Sequence, residues 1–155
     1  MQDQPHLTKL EATEAIKTVR DFMPQSQLTA IADCMRGEEK QFFFDKMVEL
    51  AKIIKSMPVT YEQDGKGKQA IAYLHYFRGN ADYYITEKDK GVPVLEGTAS
   101  IPEDSQQLQA FGLADLGEGF PEMGYISIVE LIGANVELDL YFEPKTLAEI
   151  AQENN

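Results

Sequence analysis

The sequence predicts an α+β fold: N-terminal helices packed on one face of an antiparallel sheet of about five strands, with a short C-terminal helix. Three observations carry this prediction. Apolar residues recur at helical spacing up to residue 57 and alternate at period two beyond residue 70. The strand-like runs follow one another through Gly- and Pro-bearing turns without intervening long helices, which favours antiparallel pairing over parallel crossovers. The stretch 110–128, AFGLADLGEGFPEMGYISI, places two apolar runs around a centre punctuated by Gly117, Gly119, Pro121 and Gly124, the pattern of two strands joined by a tight connection.

Each element has its own local reason. Thr8 and Glu11 have the spacing of a capping box, after which Ala12, Ala15, Ile16, Val19, Phe22 and Met23 recur at helical spacing until Pro24. Ser26 is placed to cap a second, short helix with Leu28, Ile31 and Met35 on one face, ending at Gly37. The strongest helical pattern spans 38–57, with Phe43, Met47, Leu50, Ile54 and Met57 in one stripe, Asp45, Glu49, Lys52 and Ser56 on the wet side, and Pro58 as the stop. Such a stripe is core far more often than a partner groove.

Residues 61–68, YEQDGKGK, read as a polar turn. Two runs rich in Tyr, Ile and Phe, 70–77 and 81–87, flank Arg78-Gly79-Asn80 and predict a hairpin with a primed turn. Residues 88–106 carry Gly91, Pro93, Gly97 and Pro102 with no sustained period and are expected to form a long loop. After the two strands of 110–128, Ser127 and Glu130 suggest a short helix ended by Gly133. Residues 136–142 alternate as a half-buried strand, and Thr146 to Glu149 opens the last helix beyond Pro144. No repeat and no linker divides the chain, so the expectation is a single domain over 1–155, helical over 1–57 and sheet-rich over 70–150.

Charge narrows the function classes. The net charge of −12 is unevenly placed, since residues 101–155 hold 11 Asp and Glu against Lys145 alone. A half this acidic repels phosphate backbones, which argues against direct nucleic-acid binding and suits a basic protein partner, a cation or simple solubility. The single Cys34 cannot form an intramolecular disulfide, the start MQDQPH lacks a secretory signal and no run is long enough to span a bilayer. The expected location is cytoplasmic, away from membranes. The sequence implies no cofactor and sets no oligomeric state.

Five carboxylates, Glu87, Asp89, Asp115, Glu118 and Glu122, fall near the ends of predicted strands, and the last three share one turn with no basic residue among them. Converging, they would suit a hard cation and, through it, activation of water. The plainer reading gives Asp115 an Asx-turn with Gly117 and leaves the glutamates as a solvated rim. Gly117-Glu118-Gly119 is not a phosphate loop, because it lacks the following helix and the lysine. His75 reads as a half-buried histidine bonded to a neighbouring strand or Tyr hydroxyl, and Cys34 as a core thiol. Tyr73, Tyr76, Tyr83, Tyr84 and Tyr125 crowd the predicted sheet; alternation places Tyr84 in an outward row, and the row reads equally as a binding face or as cross-strand aromatic packing.

Three phrases, YLHYFRGNADYYITEKD at 73–89, AFGLADLGEGFPEMGYISI at 110–128 and ELDLYFEPKTLAEI at 137–150, together resemble a domain-of-unknown-function family of bacteriophages, plasmids and integrative elements. The family pattern has a Thr-Glu pair after a strand, here Thr86-Glu87. It continues with an FGLxDLG…PELGY[IV]S core, here 111–117 and 121–127, and a DLYFxPK ending, here 139–145. Met123 stands where the family has Leu, and the 88–106 segment is longer than the pattern requires. The resemblance covers about the C-terminal half of the chain. It implies a mobile-element setting, with a role in countering host defences or assisting transfer, and supplies no catalytic residue. The reading that follows is a non-catalytic accessory protein whose acidic, Tyr-bearing surface engages a basic partner, including by mimicry of nucleic-acid charge. The alternative is a metal-dependent hydrolase built on Asp115, Glu118 and Glu122.

Overall fold

The computed structural model describes residues 8–89 and 109–153. Helix α1 (Lys9–Val19) begins with the reciprocal Thr8–Glu11 capping box and runs into a 3-10 turn over Arg20–Phe22. Helix α2 (Gln25–Cys34) starts two residues earlier than a Ser26 cap would set it. Pro24 occupies its N-cap, and the Ser26 hydroxyl is bonded to the Asn135 side chain instead. Proline at this position loses no hydrogen bond, because an N-cap N–H has no helical partner. Helix α3 (Lys40–Ser56) buries Phe44, Met47, Leu50, Ala51 and Ile54, so its Met- and Phe-rich stripe is core.

Strand β1 (Ile71–Ala72) is short and separated by Tyr73 from β2 (Leu74–Arg78). The predicted 70–77 run is therefore two strands belonging to different sheets. Strand β3 (Ala81–Glu87) returns antiparallel to β2 through a two-residue turn in which Gly79 takes φ +56°, a conformation glycine adopts without steric cost. The predicted 88–106 loop lies, beyond Asp89, outside the described residues. Strands β4 (Ala110–Asp115) and β5 (Glu122–Ile126) pair antiparallel, as the pattern of 110–128 predicts.

Ser127 caps α4 (Ile128–Gly133) through the Glu130 N–H. Of the predicted strand 136–142 only β6 (Glu137–Leu138) forms. Asp139 ends it, because its carboxylate accepts from the Tyr141 N–H at 2.9 Å and also bonds the His75 ring, turning the chain away. Strand β7 (Lys145–Thr146) pairs with β1, and α5 (Leu147–Glu153) starts at a second capping box between Thr146 and Glu149.

The main sheet is antiparallel, in the order β5-β4-β3-β2-β6. Its side chains divide by parity. Leu74, Tyr76, Ile85, Ala110, Ile126 and Leu138 share one buried cluster with Ala12, Val19, Phe22, Met47, Leu50 and Ile54. The Tyr76 hydroxyl, fully buried, donates to the Phe22 carbonyl, which satisfies its one polar atom. On the other parity, Tyr84 and Leu113 join Ala70, Ala72, Phe142, Leu147 and Ile150 in a second cluster. The outward row predicted from alternation is therefore covered at its middle by the C-terminal segment. Among the described residues, the β4–β5 end of that parity remains open, with Met123 and Tyr125 exposed.

Candidate functional site

The geometry at that open end starts from Glu87. The β3–β4 register shifts between Ile85 and Glu87, so this bulge sets Thr86 and Glu87 side by side, both buried. Thr86 Oγ1 donates to the Phe111 carbonyl at 3.1 Å. Glu87 turns its carboxylate under the 59–66 turn, accepting the Tyr61 N–H at 3.0 Å and the Gln63 N–H at 2.6 Å. Gln63, also buried, donates its amide to the Ile71 and Thr86 carbonyls and accepts the Ile71 N–H, replacing a strand partner for both. These bonds hold Tyr61 at φ +78°, a left-handed conformation uncommon for a residue with a bulky side chain.

Tyr61 is thereby presented to solvent, 67% exposed, with its hydroxyl bonded to that of Tyr125 on β5. Tyr125 lies edge-on to Phe111 at 5.6 Å. The Tyr61 hydroxyl beside it holds the Tyr125 hydroxyl above its ordinary pKa, with burial and the Glu87 charge acting in the same direction. Between the turn and strands β4 and β5 lies a cleft of about 460 Å³, whose walls include Tyr61, Asp64, Thr86, Glu87, Phe111 and Met123.

The sequence-predicted residues separate into three groups. Glu87 lines this cleft, and Tyr125 stands beside it, bonded to Tyr61 and edge-on to Phe111. Asp115, Glu118 and Glu122 lie on the β4–β5 turn, where Asp115 Oδ1 accepts the Gly117 N–H at 2.9 Å in the Asx-turn of the plainer reading. Glu118 and Glu122 are exposed. Gly117 and Gly119 take φ +82° and +86°, which lets the turn close. Asp89 stands apart, bonded to the Gln109 N–H. Among the described residues no three of His, Cys, Asp and Glu gather in a way that could hold a metal ion.

Two sequence expectations are corrected. Tyr84 is buried at 7% exposure and stacks on His75 at 4.6 Å, so it is a packing residue under the C-terminal segment and not an outward anchor. Cys34 is half-buried where a core thiol was expected. His75 is half-buried and bonded to a neighbouring strand, as predicted: its ring nitrogens bond Asp82 on β3 at 2.7 Å and Asp139 beyond β6 at 2.9 Å. The residues that sequence reasoning missed are Tyr61, Phe111, Phe120 and Met123. Their signal was lone apolar residues beside Gly or acidic neighbours, which periodicity does not register.

The comparison with protein families decides the affiliation. The family model described as "Protein of unknown function (DUF2958)" matches residues 49–153, two-thirds of the chain. The chain belongs to the DUF2958 family. The DUF2958 match takes in the last turns of α3, both sheets and α5, so the whole cleft lies inside it, whereas α1 and α2 precede it. It also begins earlier than the C-terminal half covered by the sequence resemblance. No curated protein and no solved structure matches the chain. Among the described residues no helix is long and apolar enough to cross a membrane.

Proposed function

We infer that this DUF2958 protein is a non-catalytic binding protein that engages a basic protein partner through the β4–β5 end of its sheet. Among the described residues, Phe142, Leu147 and Ile150 of the C-terminal segment cover Tyr84 and Leu113 at the middle of one sheet face, whereas Met123 and Tyr125 on β5 stay exposed. One observation carries the reading. Of the nine large apolar residues exposed among the described residues, five (Tyr61, Leu116, Phe120, Met123 and Tyr125) belong to this end. They stand beside the exposed acids Glu118 and Glu122. Tyr and other aromatic side chains are enriched at protein interfaces, and exposed apolar residues beside a charged rim mark such sites.

Among the described residues β5 is also the edge of the main sheet. A free edge offers unpaired backbone N–H and C=O groups to an incoming strand. The acidic half supplies the charge that would steer a basic partner toward it. A special case is a partner whose basic groove ordinarily holds a nucleic-acid backbone, with the −10 half standing in for phosphate. The resemblance to mobile-element proteins adds a setting in which the partner is a host-defence or transfer protein.

The test is capture by the tagged chain from a bacterial lysate at low and high salt, then measured association of the recovered partner with the native chain and with Glu118→Lys and Glu122→Lys. Binding that weakens with salt and slows with each reversal supports the reading. Association indifferent to all three overturns it.

A further inference from the structure

The cleft beside Tyr61 has a wall chemistry that selects its occupant. Aromatic rings come from two separate segments, Tyr61 on the 59–66 turn and Phe111 on β4, with Tyr125 bonded to the first and edge-on to the second. Two carboxylates, Asp64 and Glu87, line it, and no Lys, Arg or His is among its described lining residues. An anion is therefore repelled. A purely apolar occupant would desolvate the carboxylates without a partner. The Glu87 carboxylate has four acceptor directions, of which the Tyr61 and Gln63 N–H groups take two, so it is fixed in place with capacity left over.

We propose that the cleft receives one arginine side chain of the basic partner, its guanidinium lying against the Tyr61 and Phe111 rings and forked toward the Glu87 and Asp64 carboxylates. This deepens the reading above and rests on it. Arginine fits better than lysine for three reasons. Its planar group stacks on aromatic faces, its fork matches a carboxylate, and its weaker hydration makes entry into a partly enclosed cleft less costly. A volume of about 460 Å³ lies within the range of small-ligand sites, ~300–1,000 Å³. Because Glu87 is already anchored by two backbone groups, little ordering is lost when the cation arrives. The turn acids Glu118 and Glu122 then act on the approach of the partner, while the cleft acts on how long one residue stays.

The experiment uses the full isotopically labelled chain at low salt. It is titrated separately with N-acetyl-argininamide, N-acetyl-lysinamide and the neutral isostere N-acetyl-citrullinamide, with NMR shifts followed at tyrosine rings and backbone amides. The expected result is saturable shifts at Tyr61, Gln63, Phe111 and Tyr125 with the arginine probe, about fivefold weaker binding of the lysine probe, and no saturation with citrulline. Tyr61→Ala and Asp64→Asn, both at exposed positions, should each weaken the arginine probe about fivefold. Glu87 is left intact because it also holds the turn together. An equal response to citrulline, shifts confined to Glu118 and Glu122, or no response would each overturn the proposal. Those three results leave the charge-steered partner reading standing, since that reading is judged on Glu118→Lys and Glu122→Lys. Failure of those reversals to alter partner association would sink that reading whatever the probes do.

Discussion

Replacing Glu87 by glutamine changes one atom at the centre of the site and keeps its shape. The residue is 3% exposed, and its carboxylate accepts two backbone N–H groups, from Tyr61 at 3.0 Å and Gln63 at 2.6 Å. Hydrogen bonds to a charged group contribute ~1.5–3 kcal/mol each. A glutamine amide has one oxygen, which should stay on the shorter Gln63 bond, leaving its NH₂ facing the Tyr61 N–H, donor against donor. One charge-assisted bond is lost and the other weakened, while removal of a buried charge recovers part of its desolvation cost. The net expectation is a loss of about 2 kcal/mol, close to 1 M in urea midpoint for a slope of ~2 kcal/mol/M. Hydrogen exchange should localise the effect, with the Tyr61 amide losing protection before Gln63. A midpoint within 0.2 M of the native chain, with ~0.4 kcal/mol as the corresponding loss, together with unchanged protection of Tyr61, would refute the anchoring role assigned to Glu87.

Three further outcomes follow from the packing and the buried hydroxyl. A Cβ at Gly112 would meet the Tyr84 carbonyl oxygen at 2.0 Å, so Gly112→Ala should force β3 and β4 apart and cost at least about 3 kcal/mol in denaturant unfolding. Its cross-strand partner Gly124 has nothing within 4 Å of an added Cβ, so Gly124→Ala should be neutral or stabilising by up to about 1 kcal/mol; similar effects at the two positions would contradict the register. Burial raises the Tyr76 hydroxyl well above its ordinary value of 10.0. The unfolded chain therefore releases this proton above that pH while the native state keeps it, and stability falls as pH rises, by ~1.4 kcal/mol per pH unit for this one proton. Tyr76→Phe should cost about 1 kcal/mol at neutral pH through the lost bond to Phe22 and then decline less steeply above pH ~10. An equally steep decline would show that Tyr76 ionises normally in the folded chain.

Much of the architecture was legible because local signals and tertiary demands agree. Thr8 and Glu11 cap the first helix where their spacing says they should, and the Met47, Leu50 and Ile54 stripe enters the core. The Gly-punctuated 110–128 stretch pairs as two strands. The disagreements arise where side chains take over backbone bonding. Alternation continues from Val136 through Leu140, yet Asp139 captures the Tyr141 N–H and the strand stops after Leu138. In YEQDGKGK nothing in polarity separates Gln63, buried with three bonds to neighbouring backbone, from Glu62, which is exposed. The candidate site was read half correctly for the same reason. Asp115 forms the Asx-turn its spacing with Gly117 suggests, whereas the facing of Tyr84 was right by alternation but its exposure depended on where the C-terminal helix lands. Tyr61 could not be anticipated, because its presentation depends on a left-handed backbone held by a residue 26 positions away.

The account turns on whether the acidic, aromatic end of the sheet is a recognition surface. The most direct measurement is the association rate of the lysate-derived partner as a function of salt, for the native chain and for Glu118→Lys and Glu122→Lys. Rim charges act chiefly on association and are screened beyond ~10 Å at 0.1 M salt. The rate should fall as salt rises, and each reversal should lower it at low salt and flatten its salt dependence while the melting temperature stays unchanged. A partner that associates equally fast with all three chains at every salt concentration would contradict the account and leave the acidic half with solubility as its only role.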